Sequence, residues 1–287
     1  MMDNSTRANV LVQALPYLKR YYGKTIVVKY GGNAMISEHL KEQVMEDIVL
    51  LSMIGIKVVL VHGGGPEMSD LMRRVGKIPQ FIDGLRVTDK ETIEIAQMVL
   101  AGKINKSLVS LLHAKGGTAI GLSGIDGKMI EAEFKNPQLG YVGNVVKVDP
   151  KPIETLLGAG YIPVISTLGF DPDGNVFNIN GDTAAGKIAS AIGAVRLIMM
   201  TDIEGIRKDK DDPASLIPEL TAQQAEEMIE NGEISGGMIP KVRCCISAVE
   251  EGVAAAVIID GRVPHATLME ILTDEGAGTM FVQEADS

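Results

Sequence analysis

The 287-residue chain carries 27 Lys and Arg against 37 Asp and Glu, a formal charge of −10, with aromatics at 4% and no Trp. That balance excludes a generic phosphate-backbone binder and leaves few rings to stack on nucleic-acid bases. The 46% hydrophobic and 22% charged content is that of an ordinary globular chain, long enough for one large domain or two lobes.

Residues 8–22 read as a helix, with Leu11, Val12, Leu15, Leu18 and Tyr22 near one face and Pro16 predicting a kink. It is either a helix lying on its own domain or an arm that packs on another subunit. A strand over 25–30 leads through Gly31-Gly32 into a helix over 37–54, capped by Ser37 and ended by Gly55. A second strand, 56–61, runs into Gly63-Gly64-Gly65 and a helix carrying Met68, Leu71, Met72 and Val75. Residues 78–86 form a loop or hairpin around Asp83-Gly84. Thr88 with Glu91 predicts a capping box for a helix to about Leu100, and a separate helix covers 103–115.

A short strand at 118–122 follows, then a hairpin region over 128–149, a helix over 150–158 and a strand at 161–165. A strand from Val176 delivers Asn180-Gly181-Asp182-Thr183 to an alanine-rich helix ending at Ile192. The last third holds a strand at 195–201, a charged loop at 208–212, and a helix after Thr221 with Gln224 completing a second capping box. Gly236-Gly237-Met238-Ile239-Pro240-Lys241 opens a helix to about Gly252. A strand at 254–259, a short helix from Pro264-His265 and a terminal strand after Gly276-Ala277-Gly278-Thr279 complete the chain. Strands alternating with helices imply an α/β fold: a mainly parallel sheet covered on both faces, divided into two lobes near Gly193, with a cleft at strand ends.

The longest apolar region, 48–61, is interrupted by Ser52, Gly55 and Lys57, too short and broken for a membrane span, and the N-terminus lacks signal-peptide features. Cys244 and Cys245 are adjacent and supply no disulfide framework, so a cytoplasmic protein is expected, with both cysteines as small buried residues on a helix.

The candidate chemistry gathers where strands end in glycines. Glycines at a buried strand end, just before a helix N-terminus, let the backbone N–H groups approach an anion. Lys29, just before Gly31-Gly32, can reach such an anion; its bland reading is a solvated strand-end lysine. Gly63, Gly64 and Gly65 exceed what a plain turn needs. His62 alone makes no metal site, because His39, His113 and His265 form no spaced motif with it. Arg86 can grip a carboxylate with its fork or simply sit on the surface. Asn178, Asn180 and Asp182 either cap a helix or hold a ligand, a lysine or Mg²⁺. Gly181 to Lys187 matches the spacing of a phosphate-binding P-loop, but Ile188 stands where Ser or Thr must hold Mg²⁺, so it reads as a false P-loop. Lys241 sits at a helix start, where a cation opposes the dipole unless an anion is present. Two lysines from distant segments suit phosphoryl transfer, where charge spreads over the equatorial oxygens.

In order, Lys29-Tyr30-Gly31-Gly32, His62-Gly63-Gly64-Gly65, Gly84-Leu85-Arg86-Val87-Thr88, Asn178-Ile179-Asn180-Gly181-Asp182, Thr201-Asp202-Ile203-Glu204-Gly205 and Gly237-Met238-Ile239-Pro240-Lys241 resemble the amino acid kinase family over nearly the whole chain. The Gly-Leu-Arg-Val-Thr and Asn-x-Asn-x-Asp segments resemble its members that phosphorylate N-acetylglutamate. The resemblance implies an open αβα sandwich: a substrate and dimerisation lobe over 23–193, an ATP lobe with an arginine site over 194–287, and an arm over 1–22. It implies γ-phosphoryl transfer from ATP with Mg²⁺ to the side-chain carboxylate of N-acetyl-L-glutamate, in arginine biosynthesis. By motif, Lys29 and Lys241 stabilise the transition state and Asp182 orients them. Gly64, Gly65, Arg86 and Asn178 hold the substrate, and Gly31, Gly32, Thr201, Asp202 and Gly205 lie on the nucleotide side. The extra N-terminal helix and the His265, Leu268, Glu270, Glu275, Gly276, Gly278, Thr279 pattern resemble arginine-inhibited members, which implies a hexamer built as a trimer of dimers and L-arginine bound near His265, Glu275 and Gly278. The same family contains kinases for aspartate, glutamate, carbamate and UMP, which keeps other acceptors open. A non-catalytic arginine sensor is the rival of a different class, disfavoured by the presence of both lysines.

Overall fold

The computed structural model describes Asp3, Asn9 and residues 11–35, 37–209 and 212–283. Residues 11–13 are helical, Ala14 interrupts the run, and α1 (Leu15–Tyr21) starts afresh with Pro16 in its first turn, where a missing N–H costs nothing. The rest of the arm lies outside the described residues. β1 (Thr25–Tyr30) leads through a 3-10 turn into α2 (Glu38–Met53), whose cap is Ser37 as expected. β2 (Lys57–His62) runs directly into α3 (Gly65–Arg74), with Gly64 as N-cap. β3 (Phe81–Ile82) and β4 (Leu85–Arg86) form a hairpin whose two turn residues, Asp83 and Gly84, have φ of 50° and 76°. Positive φ at both positions is the turn that suits the right-handed twist of paired strands.

Two expectations fail in the next segment. The helix cap is Asp89, not Thr88: the Asp89 carboxylate accepts from Thr92 N at 2.8 Å, while the buried Thr88 hydroxyl donates to Arg86 O. The two helices expected here are one continuous rod: α4 (Lys90–Ala96), a π-helical stretch over Gln97–Ile104, and α5 (Asn105–Ala114). Gly102 costs helix propensity of about 1 kcal/mol, but Val99, Leu100, Ile104 and Leu108 bury against the core and override it.

The remaining elements follow the predicted order: β5 (Ala119–Ser123), β6 (Ile130–Phe134), β7 (Gly143–Val148), α6 (Lys151–Gly158), β8 (Ile162–Ser166), β9 (Leu168–Phe170), β10 (Val176–Asn178), α7 (Gly181–Ala191), β11 (Arg196–Thr201), β12 (Glu219–Thr221), α8 (Ala222–Glu230), α9 (Ile239–Glu250), β13 (Ala255–Asp260), α10 (Ala266–Leu272) and β14 (Gly278–Val282), with the two short strands β9 and β12 as unpredicted additions. The second capping box, Thr221 with Gln224, is present at α8.

One eight-stranded sheet, ordered β12-β14-β13-β11-β1-β2-β8-β5, runs through the molecule, and only its β13–β14 pair is antiparallel. A four-stranded sheet, β10-β9-β6-β7, lies apart from it. Helices cover both faces, so the fold is an αβα sandwich. The strand period of two sorts the core. Ile26, Val28 and Tyr30 of β1 join the cluster under α2 and α5, whereas Val27 joins the cluster under α7 and α9. Lys29 shares the parity of Val27 and therefore faces α7 and α9. The strands before and after Gly193 meet at the β1–β11 pair. α10 crosses back to pack on α2 and α1.

Candidate active site

Three strand or turn ends converge on the C-terminal edge of β1 and β2. Lys29 reaches Asp182 from β1, its Nζ 2.8 Å from Oδ1; Lys241, in the first turn of α9, lies 2.9 Å from Oδ2. Asp182 is held in the first turn of α7 by Asn180, whose side chain accepts from Asp182 N and Thr183 N. The P-loop-like spacing is thus a capped helix, and Lys187 points away to pair with Glu251. Burial pushes the Asp182 carboxyl up, but the Lys29 and Lys241 ammonium groups outweigh it and hold its pKa down, to about 2. Asp182 is therefore a fixed anion and a poor base at neutral pH. Cys244 touches the same residue, its thiol donating to Asp182 O at 2.9 Å; burial pushes that thiol up to about 12, so it stays protonated.

The two lysines open onto a cavity of about 420 Å³. Its walls bring together the predicted Lys29, Lys241, Asp182, Gly64, Gly65, Arg86 and Asn178, and also Gly31 and Gly32. Gly31 gives the ammonium room: a Cβ there would stand 2.8 Å from Lys29 Nζ. Gly64 is equally constrained, since a Cβ would stand 2.3 Å from Ile104 Cδ1. Arg86 is 7% exposed, and no ion pair among the described residues involves it. Its guanidinium donates to Ser69 Oγ at 2.7 Å and Gly65 O at 2.9 Å, and lies 4.8 Å over the Phe81 ring. Burial lowers its pKa, with Arg73 adding to the effect. A buried cation held by neutral groups beside a cavity is a site for an anion. Ser69, which positions Arg86 from α3 beside the predicted apolar Met72, escapes sequence reading; its only signal is its four-residue helical spacing from Gly65.

The other predicted nucleotide residues lie elsewhere. Asp202 and Gly205 line a second cavity of about 340 Å³, together with Glu204 of the same segment, Met238 of the Gly237–Lys241 segment, Arg207 of the following loop, and Arg262, which the sequence did not point to. Thr201 lines neither cavity; its hydroxyl closes the turn by accepting from Ile203 N at 3.0 Å. Of the predicted arginine-site residues, His265 caps α10 in a left-handed conformation, with Nδ1 2.6 Å from Asp47 Oδ1. Glu275 is exposed beyond the other end of α10, where it and Asp274 face Tyr17 of α1. Gly278 packs on β13, where a Cβ would strike Ile258 O. Among the described residues, no cluster of three or more His, Cys, Asp or Glu could hold a metal.

The model of the amino acid kinase family matches residues 24–260. The chain belongs to that family. It is 51% identical over 284 residues to the acetylglutamate kinase of Caldanaerobacter subterraneus subsp. tengcongensis, covering 98% of this chain and 95% of that one. It is 52% identical over 286 residues to the acetylglutamate kinase of Symbiobacterium thermophilum, covering 96% and 98%. Among solved structures it resembles the N-acetylglutamate synthase of Neisseria gonorrhoeae in complex with coenzyme A and N-acetyl-glutamate, with a TM-score of 0.85 at 26% identity. That match covers 97% of this chain but only 64% of the synthase. As a kinase of this family, the chain must bring a phosphoryl donor and an acceptor together, and the start of α9 contributes to both cavities, Lys241 to one and Met238 to the other.

Proposed function

We propose that the chain transfers the γ-phosphoryl group of MgATP to the side-chain carboxylate of N-acetyl-L-glutamate, giving N-acetyl-L-glutamyl 5-phosphate and ADP for arginine biosynthesis. The observation that carries this reading is the pair of lysines bridged by one carboxylate beside a glycine wall and an uncompensated arginine. The names of relatives about half identical to the chain support the acceptor.

The acceptor carboxylate is already ionised at neutral pH, so the reaction needs no general base. It needs charge neutralisation and alignment. Arg86 grips the α-carboxylate and Asn178 donates to other polar groups of the acceptor. The side-chain carboxylate then forms its O–P bond as the bridging bond to the β-phosphate breaks and ADP leaves. Lys29 and Lys241 spread positive charge over the transferring group, and Gly64 and Gly65 present backbone N–H groups to it. Gly31 and Gly32 lie at the triphosphate end, and the cavity of Asp202 and Gly205 takes the nucleoside. Mg²⁺ arrives with the nucleotide. In this division, residues 23–193 bind the acceptor, residues 194–287 bind ATP, and the arm over 1–22 assembles dimers into a hexamer in the cytoplasm. The approach of Tyr17 to Asp274 and Glu275 supports feedback inhibition by L-arginine bound between the arm and the segment of His265, Glu275 and Gly278.

Trapping the acyl phosphate with hydroxylamine tests the reaction: hydroxamate must form only with ATP and N-acetylglutamate together. Absence of product refutes the acceptor. Arg86→Ala should raise the KM for N-acetylglutamate by about 100-fold or more, the loss expected of a charged, buried contact. Deleting residues 1–22 should abolish both the hexamer, read by mass, and arginine inhibition; an unchanged mass removes the arm from assembly.

A further inference from the structure

β2 ends in a histidine that the proposed chemistry does not use. His62 is fully buried. Its Nδ1 lies 2.9 Å from Gly63 O and its Nε2 3.1 Å from Asn105 Nδ2. A carbonyl oxygen only accepts, so Nδ1 carries the proton and Nε2 takes the hydrogen bond from Asn105. Burial pushes the imidazole pKa down to about 4, against the pull of Gly63 O, so the ring is neutral in the working range. The Asn105 amide has one orientation. Lys106 Nζ donates to its oxygen at 3.0 Å, which turns the nitrogen toward His62 and toward Val164 O at 2.9 Å. Gly121 makes space for that oxygen, since a Cβ there would stand 1.9 Å from it.

The π-helical stretch delivers these groups. Its wider turns bring Leu100 and Ile104 against Gly64, and Asn105 follows immediately. Such segments recur where a helix serves a site. A trans peptide points its C=O and N–H in opposite directions. With Gly63 O turned inward onto the imidazole, the Gly64 N–H is turned outward, and Gly64 lines the cavity beside Lys29.

We infer that His62 and Asn105 are positioning residues for phosphoryl transfer, locking the Gly63–Gly64 peptide so that the Gly64 N–H faces the transferring group. The inference rests on the proposed function in taking the cavity as the site of phosphoryl transfer. It assigns His62 no acid–base role: what matters is a donor at the position of Nδ1.

The test compares His62→Leu, which removes that donor, with His62→Asn, whose amide nitrogen falls where Nδ1 stood. His62→Leu should lower kcat about 10- to 100-fold with both KM values within about threefold of wild type, below the roughly 100- to 1,000-fold of a donor removed outright because the Gly64 N–H is misaligned rather than lost. It should also lose the tightening of MgADP by fluoroaluminate, a mimic of the transferring phosphoryl group, while MgADP alone binds as before. His62→Asn should recover kcat to within about fivefold of wild type. Asn105→Ala should repeat the leucine signature more weakly and stands in for it if His62→Leu does not fold. The inference is overturned if His62→Asn is as slow as His62→Leu, if His62→Leu keeps the wild-type rate, if MgADP binding falls in step with kcat, or if neither His62→Leu nor Asn105→Ala folds. A wild type inactive on N-acetylglutamate sinks the proposed acceptor alone; the fluoroaluminate arm needs only nucleotide and still reads the pair.

Discussion

Two buried charge clusters lie toward opposite ends of the paired strands β1 and β11, and they are built differently. In the cleft, two ammonium groups share the Asp182 carboxylate, and the buried Arg86 nearby has no ion-pair partner among the described residues. Under α1, the Arg196 guanidinium donates to Tyr21 Oη at 2.6 Å and lies 3.8 Å from Glu270, whose side chain is 1% exposed. The second cluster sets one cation against one anion in formal charge, although Arg196 Nε and Glu270 Oε1 make no hydrogen bond among the described residues, and it ties the start of β11 to α1 and α10. The first carries surplus positive charge that only an anion from outside can satisfy. Buried charge is expensive unless matched, so an unmatched surplus beside a cavity marks a site, whereas a matched pair marks a joint.

The largest effect expected from this contrast is at Asp182. Asp182→Asn removes the carboxylate that bridges the two lysines and should lower kcat by about 1,000-fold, the scale of lost electrostatic preorganisation. Steady-state kinetics reads it, and a loss smaller than about tenfold breaks the contrast. Glu270→Ala should act on stability instead. It strands a buried guanidinium and should cost about 3 kcal/mol in denaturant unfolding, with kcat unchanged. The double variant Arg196→Met with Glu270→Leu should regain most of that loss, because an apolar replacement of a matched pair is nearly neutral. A fall in kcat without a fall in stability would mean that the joint is part of the active site.

The cleft was far more legible in the sequence than the joint. Lysines beside glycine turns announce themselves because each signal is local, and strand parity turns Lys29 toward α7 and α9. What the sequence hid were partners brought by packing. Ser69 meets Arg86 only because α3 lies against the β3–β4 hairpin, and Tyr21, Arg196 and Glu270 share no motif at all. The caps divide the same way. Ser37 and Thr221 behave as local rules say, whereas the Thr88 hydroxyl is claimed by Arg86 O, and the cap moves one residue to Asp89. The π-helical stretch was unreadable for another reason: over two turns its apolar pattern is indistinguishable from that of an α-helix.

Asp47 and His265 sharpen the contrast with a pair whose balance depends on pH. Asp47 is 1% exposed. Burial raises its pKa to about 6, partly offset by the His265 hydrogen bond and charge and reinforced by the neighbouring Glu46. The unfolded carboxyl titrates near the ordinary value of 3.8, so between about pH 4 and pH 6 the folded protein holds more proton at this site. Stability from this group is therefore fully present below pH 4 and is lost as pH rises through 6. A shift of this size corresponds to at most about 3 kcal/mol. The exposed flank of His265 lets solvent share the charge, so about 1–2 kcal/mol is expected, the smallest effect of the three. Asp47→Asn keeps the shape and removes the titration. Its unfolding free energy relative to wild type should rise by that amount between pH 4 and pH 7, a difference that cancels the titration of groups that do not touch Asp47. A difference that stays flat across that range would mean that burial does not hold a proton on Asp47.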